Sequence, residues 1–313
     1  MINFIKNQIK KLFFMFLKKE NKKIIKILSE FETDLNILDV GATGGVQKKW
    51  YIIENLLNVF MVEPNHNSTF DKNNFKTKNL ISNLFSDTDG KIIDFNITKF
   101  ELCSSVEEPN FSHLSRYKGE IGEFSLKSFE LKKKITARAT TIDKVFKYQN
   151  LDFIKIDVEG HHYEILNGAK EKLKTTLGLE VECEFFQLRK NHKLFPDVNK
   201  FLTDNNFEFI DFLIIHRWER YKFRYTGQPQ VADILFLKKP EDIIKKFNNK
   251  KISQNTLFKY LIILTIYNRV DLIKFIVNNL DEDIVKKYHL DSLCNLVEKK
   301  INRINKFKRF EFF

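Results

Sequence analysis

The chain has little cysteine and no long apolar run. Three cysteines stand far apart in 313 residues, at positions 103, 183 and 294. They form no close pair, which excludes a disulfide framework or a Cys-based zinc site and suits a reducing compartment. The longest apolar stretch, Leu12 to Leu17, is too short to span a bilayer, and no small-residue cleavage site follows it. A cytoplasmic protein is expected, without a signal peptide. No GxxxxGK phosphate loop occurs, and no tyrosine has a lysine four positions on, the pair that short-chain dehydrogenases use. His, Asp and Glu show no metal-ligand spacing, so no metal is expected.

What is present is enough to build a core. The chain is 43% hydrophobic with 32 Phe, and its length allows more than one structural unit. Its net charge of +12 is uneven. Residues 1–26 hold eight Lys and one Glu, residues 241–313 hold fifteen basic and nine acidic side chains, and the central stretch 27–240 sums to −1. A near-neutral centre argues against nucleic acid as partner. The basic ends point to an anionic surface such as a membrane, or only to the lysine bias of an AT-rich genome.

Three segments follow. Residues 1–33 read as a basic amphipathic helix, with Ile2, Ile5, Ile9, Leu12, Phe13 and Phe16 at helical spacing. It can lie on an anionic membrane through residues 1–26, at the inner membrane face, or pack on its own protein. Residues 34–240 alternate strand and helix, with strands expected at 36–40, 58–62, 79–85, 91–98, 151–157 and 177–186. An antiparallel pair at 207–215 and 231–237 closes the sheet, and 99–135 reads as loop. Such alternation implies a mostly parallel sheet covered by helices. Residues 241–313 contain no Gly or Pro and read as helices at 257–268, 270–280 and 283–307.

The most informative stretch is 152–168, DFIKIDVEGHHYEILNG. A buried-strand pattern runs into Asp157, Glu159 and Gly160, followed by two histidines and a helix. Ligands of open α/β sheets bind at the carboxyl ends of strands, and two carboxylates there are costly unless paired or used. Both can also cap the helix. A second element is the glycine turn GATGG after the first strand, which lets backbone approach a ligand. A third is Glu63, about twenty residues further, where an acid meets ribose hydroxyls in nucleotide-binding folds.

In order along residues 34–238, ILDVGATGG, VFMVEPNHNSTF, NLFSDTDGKIIDF, ELCSSVEEPN, LDFIKIDVEGHHYEILNGA and the closing VADILFLKK resemble the motifs of FkbM-family methyltransferases. That resemblance implies a class I methyltransferase (Rossmann-like) α/β fold, with a mostly parallel seven-stranded sheet and helices on both faces. An N-terminal helix and a C-terminal helical extension flank it. It implies S-adenosyl-L-methionine as cofactor and O-methylation of a hydroxyl on a sugar, glycan or glycolipid precursor. Asp39 and Gly41 would sit by the methionine part, Glu63 by the ribose and Asp87 by the adenine, with Gly44 also binding the cofactor. Asp157, Glu159 and His162 would face the transferred methyl. His161-His162 stands where the family often has Ala-Glu, which leaves the role of His162 open. His113 is a candidate for the acceptor pocket or a solvated loop residue. Trp218 and Tyr221 to Tyr225, interleaved with Arg217, Arg220 and Arg224, suit sugar stacking or an ordinary strand. RNA methylation and a non-catalytic scaffold with a partner-binding tail are the alternatives.

Overall fold

The computed structural model of the chain describes residues 2–64, 73–117, 126–221 and 227–311. By packing it divides into two compact units. One holds residues 35–46 and 58–239, and the other holds 1–34, 47–57 and 240–313. The first helix and the C-terminal helices, which the sequence separates at 33/34 and 240/241, thus cluster together.

The larger unit is built on ten strands. They are β1 (Leu35–Val40), β2 (Leu57–Val62), β3 (Thr77–Ile81), β4 (Leu84–Phe85) and β5 (Ile92–Thr98), then β6 (Leu131–Thr140), β7 (Phe153–Ile156), β8 (Gly178–Glu184), β9 (Phe207–Trp218) and β10 (Gln228–Lys238). Seven form one sheet in the order β3-β2-β1-β7-β8-β10-β9. The pairs β2–β3, β1–β7 and β7–β8 are parallel, and β10 runs antiparallel to β8 and β9. Strands buried on both faces lose the two-residue alternation and become nearly continuous apolar runs. β7, FIKI, is buried at all four positions, and β1 at all but Asn36. The lysine in β7 is therefore an exception that its neighbours must compensate. The parallel register sets Lys155 opposite Asp39 of β1 and Glu180 of β8. Leu38, Ile154, Ile156, Val181 and Ile234 join Leu166, Val198 and Leu202 of the helices in one core.

Three expectations need correction. The third strand, read as 79–85, is split: β3 belongs to the large sheet, while β4 pairs with β6 in a second sheet of order β4-β6-β5. The stretch read as loop at 99–135 runs into β6, whose lysines 132–134 are exposed and mask its alternation. The helix expected after the glycine turn is a 3-10 segment, Lys48–Leu56, interrupted at Ile53.

The smaller unit is helical. Its helices are Ile2–Ser29, Pro240–Asn248, Gln254–Ile266, Val270–Asn278, Glu282–Lys287 and Leu290–Glu311. Gln254–Ile266 is capped by Ser253, whose hydroxyl accepts from the Thr256 N–H. It is apolar all round and buried from Phe258 through Ile266 apart from Lys259, as a central helix of a bundle must be. The helix expected over 283–307 is broken at His289, whose φ is +52°. Among the described residues, no helix is long and apolar enough to cross a membrane.

Candidate active site

Four neighbouring strands of the large sheet end at one cavity of about 410 Å³. Gly41 follows β1, Glu63 follows β2, Asp157 follows β7, and Glu182 lies near the end of β8; all four line it. Gly41 has φ +83°, and a Cβ there would lie 1.8 Å from the Asp157 carbonyl oxygen. Only glycine allows β1 and β7 to close this way. The N–H groups of Gly41 and Ala42 both donate to the Val62 carbonyl, which fixes the turn against β2. Glu63 is buried, and the Thr43 hydroxyl donates to its carboxylate at 2.5 Å.

The floor of the cavity is acidic. Lys155 donates to Asp39 at 3.3 Å and to Asp157 at 3.1 Å. Burial alone would lower the Lys155 pKa, but Asp157 and Asp39 outweigh it and drive it up, so the ammonium persists. Asp39 responds mainly to burial, which raises its pKa against the pull of Lys155. For Asp157 burial also pushes upward, but Lys155 and a hydrogen bond from Glu182 prevail and hold it below the usual range. Glu182 is driven well above its normal value by burial, then by Asp157, Glu159 and Glu184. The pair Asp157–Glu182 is thus pushed in opposite directions, with Glu182 the more easily protonated member.

Glu159 and Gly160 both adopt positive φ, +56° and +107°. This double turn places the Glu159 carboxylate at the cavity wall, 2.7 Å from Nη2 of Arg189. Its carbonyl accepts from the Ser105 hydroxyl. Arg189 is buried and also donates to the Cys103 carbonyl at 2.7 Å. Burial, and then the Glu159 charge, push the Cys103 thiol up to about 12, so it is no nucleophile.

The histidines depart from expectation. His162 is 1% exposed, lies off the cavity, and hydrogen-bonds to the Lys193 carbonyl at 3.1 Å. Burial lowers its pKa to about 3. His161 lines the cavity instead, with Nδ1 2.9 Å from Glu107 and Nε2 3.1 Å from the Ser86 hydroxyl. Glu107, His161 and Glu164 each bring one donor atom within 4.8 Å of the others. His113, expected at an acceptor pocket or in solvent, is buried and bonded to Gln230 at 2.9 Å. His216, given no role from sequence, lines the cavity.

Of the expected cofactor residues, Gly41 and Glu63 line the cavity. Asp39 lies beneath it, paired with Lys155. Gly44 is not a lining residue, and neither is Asp87, which pairs with Lys91 at 3.1 Å. The outer wall contains Phe95, Leu102, Phe129 and Trp218. Phe223, Arg224, Tyr225 and His66 lie outside the described residues. Groups that escaped the sequence reading include Lys155, Glu182 and Arg189. For Glu182 a signal existed, because GLEVECE alternates three acids with apolar residues in a strand flanked by apolar sequence. Arg189 sits in irregular chain and gave none.

The family described as "Methyltransferase FkbM domain" matches residues 39–209. Among solved structures, the magnesium protoporphyrin IX methyltransferase of Synechocystis PCC 6803, with bound SAM, aligns at 11% identity. That alignment covers 72% of this chain and 84% of that one, with a TM-score of 0.29. A protein of the NADB-Rossmann superfamily from Streptococcus agalactiae aligns at 14% identity over 89% of this chain and 96% of that one, with a TM-score of 0.27. These scores are too low to carry an argument about the site. Among curated proteins, nothing matches.

Proposed function

Because the chain belongs to the FkbM methyltransferase family, we propose that it uses S-adenosylmethionine to methylate a hydroxyl of a sugar, glycan or glycolipid precursor. The observation that carries this reading is the delivery of Gly41, Glu63, Asp157 and Glu182 to one cavity by four adjacent strands. The cofactor fits the residues present. Glu63 offers a buried carboxylate to ribose hydroxyls, and Gly41 to Thr43 bring backbone to the same wall. The acidic floor, where one cation, Lys155, pairs with both Asp39 and Asp157, favours a cationic ligand.

When bound, S-adenosylmethionine supplies an electrophilic methyl group, so the chain has to align the acceptor and take its proton. Asp157, held below the usual range and at the cavity, accepts that proton; Glu182, raised well above its normal value, hydrogen-bonds to Asp157 and keeps it in place. Positioned proton transfer of this kind contributes roughly a hundred- to ten-thousandfold. Glu159, held by Arg189, is placed to bind a hydroxyl or amine. The acceptor class rests on the wall. Phe95, Phe129 and Trp218 give that wall an aromatic, apolar lining that suits a sugar ring. The described lining residues include no Lys or Arg to meet the phosphates of RNA.

Calorimetry with S-adenosylhomocysteine tests the cofactor reading. Wild type should bind, and Glu63→Ala should bind at least about tenfold more weakly, one hydrogen-bonded carboxylate being worth about 1.5–3 kcal/mol. A folded wild type that does not bind overturns it. Methyl transfer to RNA but to no sugar or glycan fragment would overturn the acceptor class alone.

A further inference from the structure

The net charge of the chain sits almost wholly in the helical unit. Residues 1–34, 47–57 and 240–313 hold 25 basic and 14 acidic side chains, +11, against 28 and 27 in the strand-based unit. Within the helical unit, one face of helix Ile2–Ser29 is committed to packing. Phe13 stacks on Phe307 at 4.0 Å, Arg303 lies over Phe16 at 4.5 Å, and Ile24, Ile27 and Leu28 are buried. Glu20, the only acid among the first 26 residues, points to this inner side, where Arg303 pairs with it at 2.8 Å.

The other face is of one sign, and on one flank its Phe14, Lys18 and Lys22 border a cleft that Ile52 also lines. At 100° per residue, Phe14, Met15 and the five lysines between positions 18 and 26 fall on one half of the helix. All of them are exposed, Phe14 at 55% and Met15 at 57%. Isolated exposed apolar side chains are ordinary. Here two large ones stand together at the end of a row of lysines, on a face with no acid between positions 13 and 26. A polyanion such as nucleic acid would use the lysines and leave Phe14 and Met15 in water. A lipid surface uses both, with headgroup charge meeting the lysines and the acyl boundary receiving the apolar pair.

We infer that this face of the first helix docks the protein reversibly on an anionic lipid surface, with Phe14 and Met15 entering the headgroup–acyl boundary. The inference is independent of the methyl-transfer reading.

Sedimentation of the full chain with phosphatidylcholine vesicles, with and without phosphatidylglycerol, tests it. Wild type should partition onto the phosphatidylglycerol vesicles and scarcely onto the neutral ones. Each lysine near such a surface is worth about a fivefold factor, so Lys19→Glu with Lys23→Glu should weaken partitioning at least about twenty-five-fold. Phe14→Ser with Met15→Ser should weaken it about fivefold or more, by loss of apolar burial. All four positions are exposed, so unchanged unfolding curves will show that the variants fold. Equal partitioning of wild type onto neutral vesicles overturns the inference. So does partitioning that the Phe14/Met15 variant leaves unchanged, or single-stranded RNA displacing the protein from vesicles, either of which would assign the face to polyanions.

Discussion

Glu184 is a buried acid whose ionisation should cost the fold stability. Its side chain is 2% exposed, and its Oε2 has no hydrogen-bond partner among the described residues. Nδ1 of His162 lies 3.5 Å away and Nε2 of His192 3.6 Å away, both on fully buried rings. Burial first, and then the Glu159 charge, raise the Glu184 pKa to about 8, with Arg189 pulling the other way. The unfolded value is 4.5. Between these limits the native state keeps a proton that the unfolded chain releases, so stability falls as pH rises, by about 1.4 kcal/mol per unit. At pH 7 the loss is about 3 kcal/mol, and above pH 8 about 5 kcal/mol, a large share of a typical folding free energy. Glu184→Gln is nearly isosteric and always neutral. Urea unfolding should show the two proteins equally stable near pH 4.5, with the variant ahead by about 3 kcal/mol at pH 7. His162, lowered to about 3, works in the opposite direction: stability falls as pH drops below 6.5. That slope is common to both proteins and cancels in the difference. A difference that stays flat from pH 5 to 8, or a variant less stable than wild type at pH 8, would mean that Glu184 is ionised and paired in the native state, and the reasoning would fail.

The remaining predictions concern the strand ends. Gly41→Ala places a methyl group 1.8 Å from the Asp157 carbonyl at φ +83°; it should cost about 3 kcal/mol or more in urea unfolding and abolish S-adenosylhomocysteine binding. A loss under about 0.5 kcal/mol would show that β1 and β7 can part freely. In the acid pair, Asp157→Asn should lower kcat at least about a hundredfold with little change in cofactor affinity. Glu182→Gln preserves a hydrogen-bond donor and should retain most of kcat; a loss as large as that of Asp157→Asn would move the proton-accepting role to Glu182.

How much of this was legible in the sequence depended on whether a residue's neighbours in the chain are also its neighbours in space. β1 and β7 carry mostly apolar runs because both of their faces are buried, so strand, turn and the acids at the strand end could be read in a line. Gly41, Glu63, Asp157 and Glu159 were found that way, and all four line the cavity. Residues whose meaning lies across the sheet were not. Lys155 reads as an interruption of FIKI until the register sets it between Asp39 and Glu180. Glu182 reads as one acid of a strand until β8 is placed beside β7 and brings it to Asp157. His162 was the more attractive histidine from the family's usual Glu at that position. A helix turns about 100° per residue, however, and one residue decides which ring enters the cavity. The turn through Glu159 and Gly160, both at positive φ, sends His161 to the cavity and His162 into the core beside Glu184. That rotation depends on backbone angles that residue types only permit. Glycine made the turn foreseeable at position 160, but nothing in a glutamate announces a left-handed residue at 159.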